Sequence, residues 1–154
     1  MADIAKKWQK IRADYQRYII AEKHLSQNTA SAYMRDFDEF MHFVLRIFGV
    51  APEAVEANMV ERFMAWLYDK GRSSASQART LSGVKSLYNY LLLCDRVKSL
   101  PTDGVDAPKA ERLLPDVLTV AEVDAMLETF DMTTVKGCRD SAIVELLYST
   151  GLRV

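Results

Sequence analysis

Ser74-Ala75-Ser76-Gln77-Ala78-Arg79-Thr80-Leu81-Ser82-Gly83-Val84-Lys85-Ser86-Leu87-Tyr88-Asn89-Tyr90-Leu91 is the stretch that decides how this chain folds. Leu81, Val84, Leu87, Tyr88 and Leu91 recur at three- and four-residue steps, the period of a helix with one buried face. Ser74 and Gln77 read as a Ser-x-x-Gln capping box, so the pattern predicts a helix near 74–94. A helix this regular needs partners of the same kind to cover its stripe.

The residues upstream supply them. Trp8, Ile11, Tyr15, Tyr18 and Ile19 predict a first helix near 5–23. Ser26 is the expected N-cap of a second, near 27–47, with Tyr33, Phe37, Phe40, Val44 and Phe48 inward and Gly49 closing it. Asn58 is the expected cap of a third, near 59–70, with Phe63, Met64 and Leu67 inward and Gly71 at its end. Four helices with short connections make an all-α bundle, expected over 1–98. Residues 99–116 then carry Pro101, Gly104, Pro108 and Pro115 with no helical period, which reads as an extended interdomain linker. Helix resumes after a Thr119/Glu122 capping box, with Val123, Met126, Leu127 and Phe130 apolar. A last helix is expected near 139–149, with Gly151 as its stop. No strand pattern, repeat or low-complexity tract is visible.

Composition narrows the class. No apolar run reaches the roughly 18 residues that span a bilayer, and the N-terminus has no apolar segment behind Lys6 and Lys7, so neither a membrane span nor a secretory signal is expected. Cys94 and Cys138 fall on separate predicted helices, which argues against a disulfide framework and for the cytoplasm. His24 and His42 are scattered, leaving no metal-ligand cluster. The net charge of −1 hides an asymmetry. Residues 1–100 carry 15 Lys and Arg against 11 Asp and Glu, while residues 101–154 carry 5 against 10. A basic face, if there is one, belongs to the first part.

Two helix faces stand out. Placed at 100° steps, Ser76, Arg79, Ser82, Gly83 and Ser86 lie opposite the apolar stripe of helix four. Small hydroxylated residues around one arginine let a backbone approach another surface, and they suit phosphates and base edges. On helix two, Asn28, Ser31 and Arg35 take the equivalent place near a helix N-terminus, whose free N–H groups attract phosphate. Asp38, Glu39 and His42, farther along, would repel or ignore it. The plain alternative is that both faces, like Lys6, Lys7, Lys10 and Arg12, are solvated surface. Arg153 follows an apolar helix and a glycine turn, so the backbone aims it; an aimed guanidinium can fork a phosphate.

The segment Arg139-Asp140-Ser141-Ala142-Ile143-Val144-Glu145-Leu146-Leu147-Tyr148-Ser149-Thr150-Gly151-Leu152-Arg153-Val154 resembles the opening of the tyrosine recombinase catalytic domain, R-D-x-A-x-x-x-x-L-Y-x-T-G-L-R-V. Leu114-Pro115-Asp116-Val117-Leu118-Thr119 is similar to the family's L-P-x-x-L-[ST] entry into that domain. Leu25-Ser26-Gln27-Asn28-Thr29 with Tyr33, Arg35, Asp36 and Phe37 is similar to L-S-x-N-T-x-x-x-Y-x-x-D-[LF], and Ser76–Leu91 to the fourth-helix pattern S-x-A-R-x-L-S-A-[VL]-[RK]-x-[LF]-[FY]-x-Y-L. The four blocks run in order along almost the whole chain, which starts directly at the bundle, as in the Xer subgroup and simple integrases.

The resemblance implies a four-helix SAM-like core-binding domain over 1–98, the linker, and the first two helices of a truncated catalytic domain over 117–154. It implies a clamp on duplex DNA with helices two and four in the major groove, contacting it through Asn28, Thr29, Ser31, Arg35, Ser76, Arg79 and Lys85. It implies transesterification through a 3′-phosphotyrosyl link, with Arg153 as the first catalytic arginine and neither metal nor other cofactor. Family members act as tetramers on two DNA sites, and a paralogous recombinase is an expected partner; this chain alone is expected to be a monomer. The family's lysine hairpin, His-x-x-Arg motif, later His or Trp and nucleophilic tyrosine all fall beyond residue 154, and Tyr148 sits on the wrong helix to replace the last. Chain 1–154 is therefore expected to be a fragment that binds DNA without cutting it. Two rivals are a protein-interaction bundle and a small regulatory DNA-binding protein without catalysis.

Overall fold

A computed structural model describes residues 2–108 and 117–152. The chain divides into two compact units, Met1–Glu111 and Arg112–Val154. The described residues are helical, with no strand among them. None of the described helices is long and apolar enough to cross a membrane.

The first unit holds α1 (Ala2–Arg17), α2 (Gln27–Ile47), α3 (Ala57–Asp69) and α4 (Ser74–Leu93). Aromatic side chains spaced along these helices fill its centre. Trp8, Tyr15, Phe37, Phe40, Phe63 and Tyr88 are all buried. Phe40 meets the rings of Trp8, Phe63 and Tyr88 edge to face at 6.1, 5.0 and 6.1 Å, the arrangement that aromatic quadrupoles favour. Their polar atoms are satisfied. Trp8 Nε1 donates to Val50 O at 2.9 Å and Tyr88 OH to Pro52 O at 3.2 Å, which ties the α2–α3 connection to the core.

Several boundaries differ from those the sequence predicts. The first helix loses its α-helical winding at Arg17 and continues as a π-helical turn over Tyr18–Glu22. His24 then takes a left-handed backbone (φ 48°). Helix α3 starts behind Glu56, which makes no side-chain cap, so Asn58 is inside the helix rather than its cap. The cap of α4 is Ser73, whose hydroxyl accepts from Ser76 N at 3.3 Å; Gln77 turns away and donates to Arg72 O at 2.7 Å. The Ser74/Gln77 box is thus displaced by one residue: a serine precedes a serine, and the chain direction at Arg72 selects the first. The Ser26 cap is as expected, accepting from Thr29 N at 3.2 Å.

Beyond α4 the chain does not leave the bundle at once. Pro101, Thr102 and Val105 are buried, and Val105 belongs to the bundle's core. Of the predicted linker, residues 109–116 lie outside the described part, with Leu114, Pro115 and Asp116 of the expected domain entry.

The second unit holds α5 (Val120–Glu128) and α6 (Val135–Thr150). Thr119 and Glu122 form the expected capping box, with Thr119 N donating to Glu122 Oε2 at 2.7 Å and Glu122 N to Thr119 Oγ1 at 3.3 Å. Helix α6 begins at Val135, earlier than expected, because Thr134 caps it and Gly137 admits Asp131 O, which would sit 1.9 Å from any Cβ there. Gly151 ends it in a left-handed conformation (φ 63°).

Candidate nucleic-acid interface

Helices α2 and α4 make the most extensive helix–helix contact in the protein. They begin alike. Ser26 and Ser73 are the N-caps, and the third helical residue of each, Thr29 and Ser76, shares a hydroxyl hydrogen bond with its cap at 2.8 and 3.0 Å. The hydroxyls of Thr29 and Ser76 are therefore part of the caps, beside backbone N–H groups that carry the positive end of each helix. From α2, Asn28, Ser31 and Arg35 are exposed, and Arg35 forms no ion pair among the described residues.

From α4 the arrangement departs from the predicted outward face. Gly83 is buried, because Asp36 of α2 fills the place where its side chain would be. Ser86 is half-buried and accepts from Tyr15 OH at 3.0 Å. Ser82 is exposed but donates to Ala78 O at 3.0 Å, the preceding turn of its own helix. The reason is that α4 packs on α2 and α3 and also receives Tyr15 of α1, so its buried arc is wide. What remains outward is Arg79, Ser82, half-buried Lys85 and Asn89.

Arg79 is not free. Its Nη1 donates to Asp36 Oδ2 at 2.7 Å, and Asp36 is 2% exposed while the Arg79 side chain is 47% exposed. Thr80 Oγ1 donates to Asp36 Oδ1 at 3.3 Å. Burial pushes the Asp36 carboxyl above its ordinary value, against the pull of Arg79 and Thr80. The acidic stretch after it is neutralised: Arg12 forks Asp38 at 2.6 and 2.8 Å, and Arg72 meets Glu39 at 3.1 and 3.2 Å. Asp38 and Glu39 are thus not the bare repelling charges expected from sequence, and Arg12 is not a loose solvated cation.

A groove of about 230 Å³ runs between the π-helical turn and α4, lined by Tyr18, Lys23, Ser82, Lys85, Ser86 and Asn89. It brings a second lysine, Lys23, to Lys85. Sequence reasoning missed Lys23, Tyr18 and Asn89, since a lysine at a helix end carries no signal and the π-helical turn that delivers it leaves the apolar period almost unchanged. It also missed Asp36 as a buried group, because acids are expected at the surface. Arg153 lies outside the described residues.

Residues 13–93 match the phage integrase N-terminal SAM-like domain. Curated relatives include the tyrosine recombinase XerD of Staphylococcus aureus (strain Mu50 / ATCC 700699), 36% identical over 141 residues, and that of Staphylococcus haemolyticus (strain JCSC1435), 37% identical over 141 residues. Each alignment covers 92% of this chain and 48% of the relative, so the chain spans about half the length of the curated relatives it matches. Among solved structures, the Tn1549 transposon integrase in complex with circular intermediate DNA superposes with a TM-score of 0.67 at 16% identity, covering 94% of this chain and 47% of that one. At that identity the likeness shows a shared fold.

Proposed function

Because this chain belongs to the phage integrase N-terminal SAM-like domain family, we propose that its first unit grips duplex DNA and that the longer protein cuts and rejoins DNA site-specifically. The observation that carries the reading is the α2–α4 seam. Two capped N-termini, the exposed Asn28, Ser31 and Arg35 of α2 and the outward Arg79 of α4 belong to these two helices, Lys85 and Lys23 line the groove on the other side of α4, and Asp38 and Glu39 are internally paired. Hydroxyls, backbone N–H groups and guanidinium forks are the groups that seat phosphate oxygens, and helices with small outer residues can enter a major groove. The Tn1549 integrase, which shares the fold and was solved in complex with circular intermediate DNA, accords with this.

The second unit is the opening of a catalytic domain, and Arg153 is the first catalytic arginine of the longer protein's transesterification, which passes through a 3′-phosphotyrosyl link. Two arginines of such a site neutralise a phosphorane without a metal. The longer protein acts as a tetramer on two DNA sites, together with a paralogous recombinase; chain 1–154 is a monomer.

The test is titration of a labelled mixed-sequence duplex at low and moderate salt. Binding that weakens linearly in log salt, with the slope reduced by about one in Arg35→Ala and again in Lys85→Ala, is expected. Arg79→Ala is the poorer probe, because it leaves Asp36 buried without its cation. Absence of salt-dependent binding to any duplex would sink the reading.

A further inference from the structure

We propose that Asp36 is a positioning residue for DNA: it grips Arg79 from the protein side and holds the rest of the guanidinium outward for a backbone phosphate diester. The inference rests on the DNA-binding reading of the α2–α4 seam.

Three residues of α4 converge on this one carboxylate of α2. Arg79 Nη1 donates to Oδ2 at 2.7 Å, Thr80 Oγ1 donates to Oδ1 at 3.3 Å, and Gly83 makes room, since a Cβ there would lie 2.8 Å from Oδ2. A guanidinium has five N–H donors in a planar fork. Asp36 engages Nη1, and among the described residues Nη2 and Nε of Arg79 have no protein partner. With 47% of the side chain exposed, there is room for a phosphate to meet those donors. Arg35, one residue before Asp36, is exposed on α2 as Arg79 is on α4.

The arrangement is hard to explain as a stabilising device. Replacing a buried ion pair by apolar residues of similar size is often neutral or stabilising. Burial raises Asp36 even with Arg79 and Thr80 beside it, so the ionised carboxylate is held against a solvation penalty. What it supplies is geometry. An unrestrained arginine loses rotamer freedom when it meets a phosphate, and a guanidinium already fixed on one edge loses less.

The sign of one substitution decides the matter. Asp36→Asn removes a negative charge beside the DNA surface, so charge counting alone predicts tighter binding. Positioning predicts the reverse: a duplex affinity about three- to tenfold weaker, the loss expected when one long side chain must be ordered on binding. The measurement is made on chain 1–154 at moderate salt, with helicity followed by circular dichroism. In an Arg79→Ala background the same Asp36→Asn change should cost no further affinity, there being no guanidinium left to hold. Asp36→Asn binding as tightly as the unaltered chain, or more tightly, overturns the proposal and leaves the DNA reading intact. An unaltered chain that binds no duplex overturns both. If Asp36→Asn does not fold, Arg79→Lys takes its place. It keeps the charge and gives Asp36 a cation, but an ammonium cannot serve two sides as a planar fork. A similar loss is expected, and unchanged affinity overturns the proposal.

Discussion

A methyl group added at Gly83 would lie 2.8 Å from Asp36 Oδ2 and 2.9 Å from Asp36 Cβ, distances that carbon atoms do not tolerate. In an isolated helix, Gly to Ala is favourable by about 1 kcal/mol. Here the overlap dominates, because neither α2 nor the buried carboxylate can move without breaking the Arg79 and Thr80 hydrogen bonds. Gly83→Ala is expected to lower stability by about 1–3 kcal/mol, read by urea unfolding; a gain would mean that α2 and α4 part freely. The buried hydroxyls make a second prediction. Burial pushes Tyr15 up to about 12 although its Ser86 hydrogen bond pulls it down, and Tyr90 also to about 12 with burial again first. Burial raises Tyr88 further. Unfolded tyrosine titrates near 10. A folded state that keeps its tyrosines protonated is favoured fully below about pH 10, and that favour is lost as pH climbs toward 12. Tyrosinate absorbance should therefore rise together with loss of helix in this window. Tyr15, Tyr88 or Tyr90 ionising near 10 with the helices intact would contradict it.

Helix starts test the local register. Ser26→Ala and Ser73→Ala should each cost about 1 kcal/mol, and Ser74→Ala close to none, in thermal unfolding; the reverse order at 73 and 74 would restore the sequence-based box. This pair also shows what could be read in advance. The apolar period placed α2 and α4 and their inward residues, because burial on one face leaves a repeating trace. Adjacent serines at 73 and 74 can both cap, and Gln77 favours the second in the sequence; in the fold Gln77 donates instead to Arg72 O, and Ser73 is the cap. The π-helical turn at Tyr18–Glu22 is invisible for a related reason: widening one turn shifts the helical period by a single residue. The candidate interface was legible to the extent that a helix has one covered side. It failed at Gly83 and Ser86, since α4 is covered by parts of three other helices and an opposite face cannot be assumed exposed. It failed at Asp36 because the cation that makes burial tolerable comes from another helix, 43 residues away in sequence.

Charge is the property that belongs to the whole molecule. The first unit, Met1–Glu111, carries 16 Lys and Arg against 14 Asp and Glu, while the second, Arg112–Val154, carries 4 against 7. The net −1 of the chain is thus a first unit of +2 and a second of −3. A field of this kind does not choose where DNA binds, but it sets how strongly a polyanion is drawn in at low ionic strength. The first unit has its own aromatic core and includes Val105, so it is expected to fold alone. Chain 1–111 should bind a duplex a few-fold more tightly than chain 1–154 at about 0.01 M salt, where the Debye length is about 30 Å and the acidic unit is felt. At about 0.15 M that length falls to about 8 Å and the two affinities should converge. Duplex titrations of both chains across this range check it. If the shorter chain is weaker at every salt concentration, the second unit supplies contacts of its own to DNA that outweigh its charge. If it is tighter by the same factor throughout, the second unit lowers the affinity by something other than its charge.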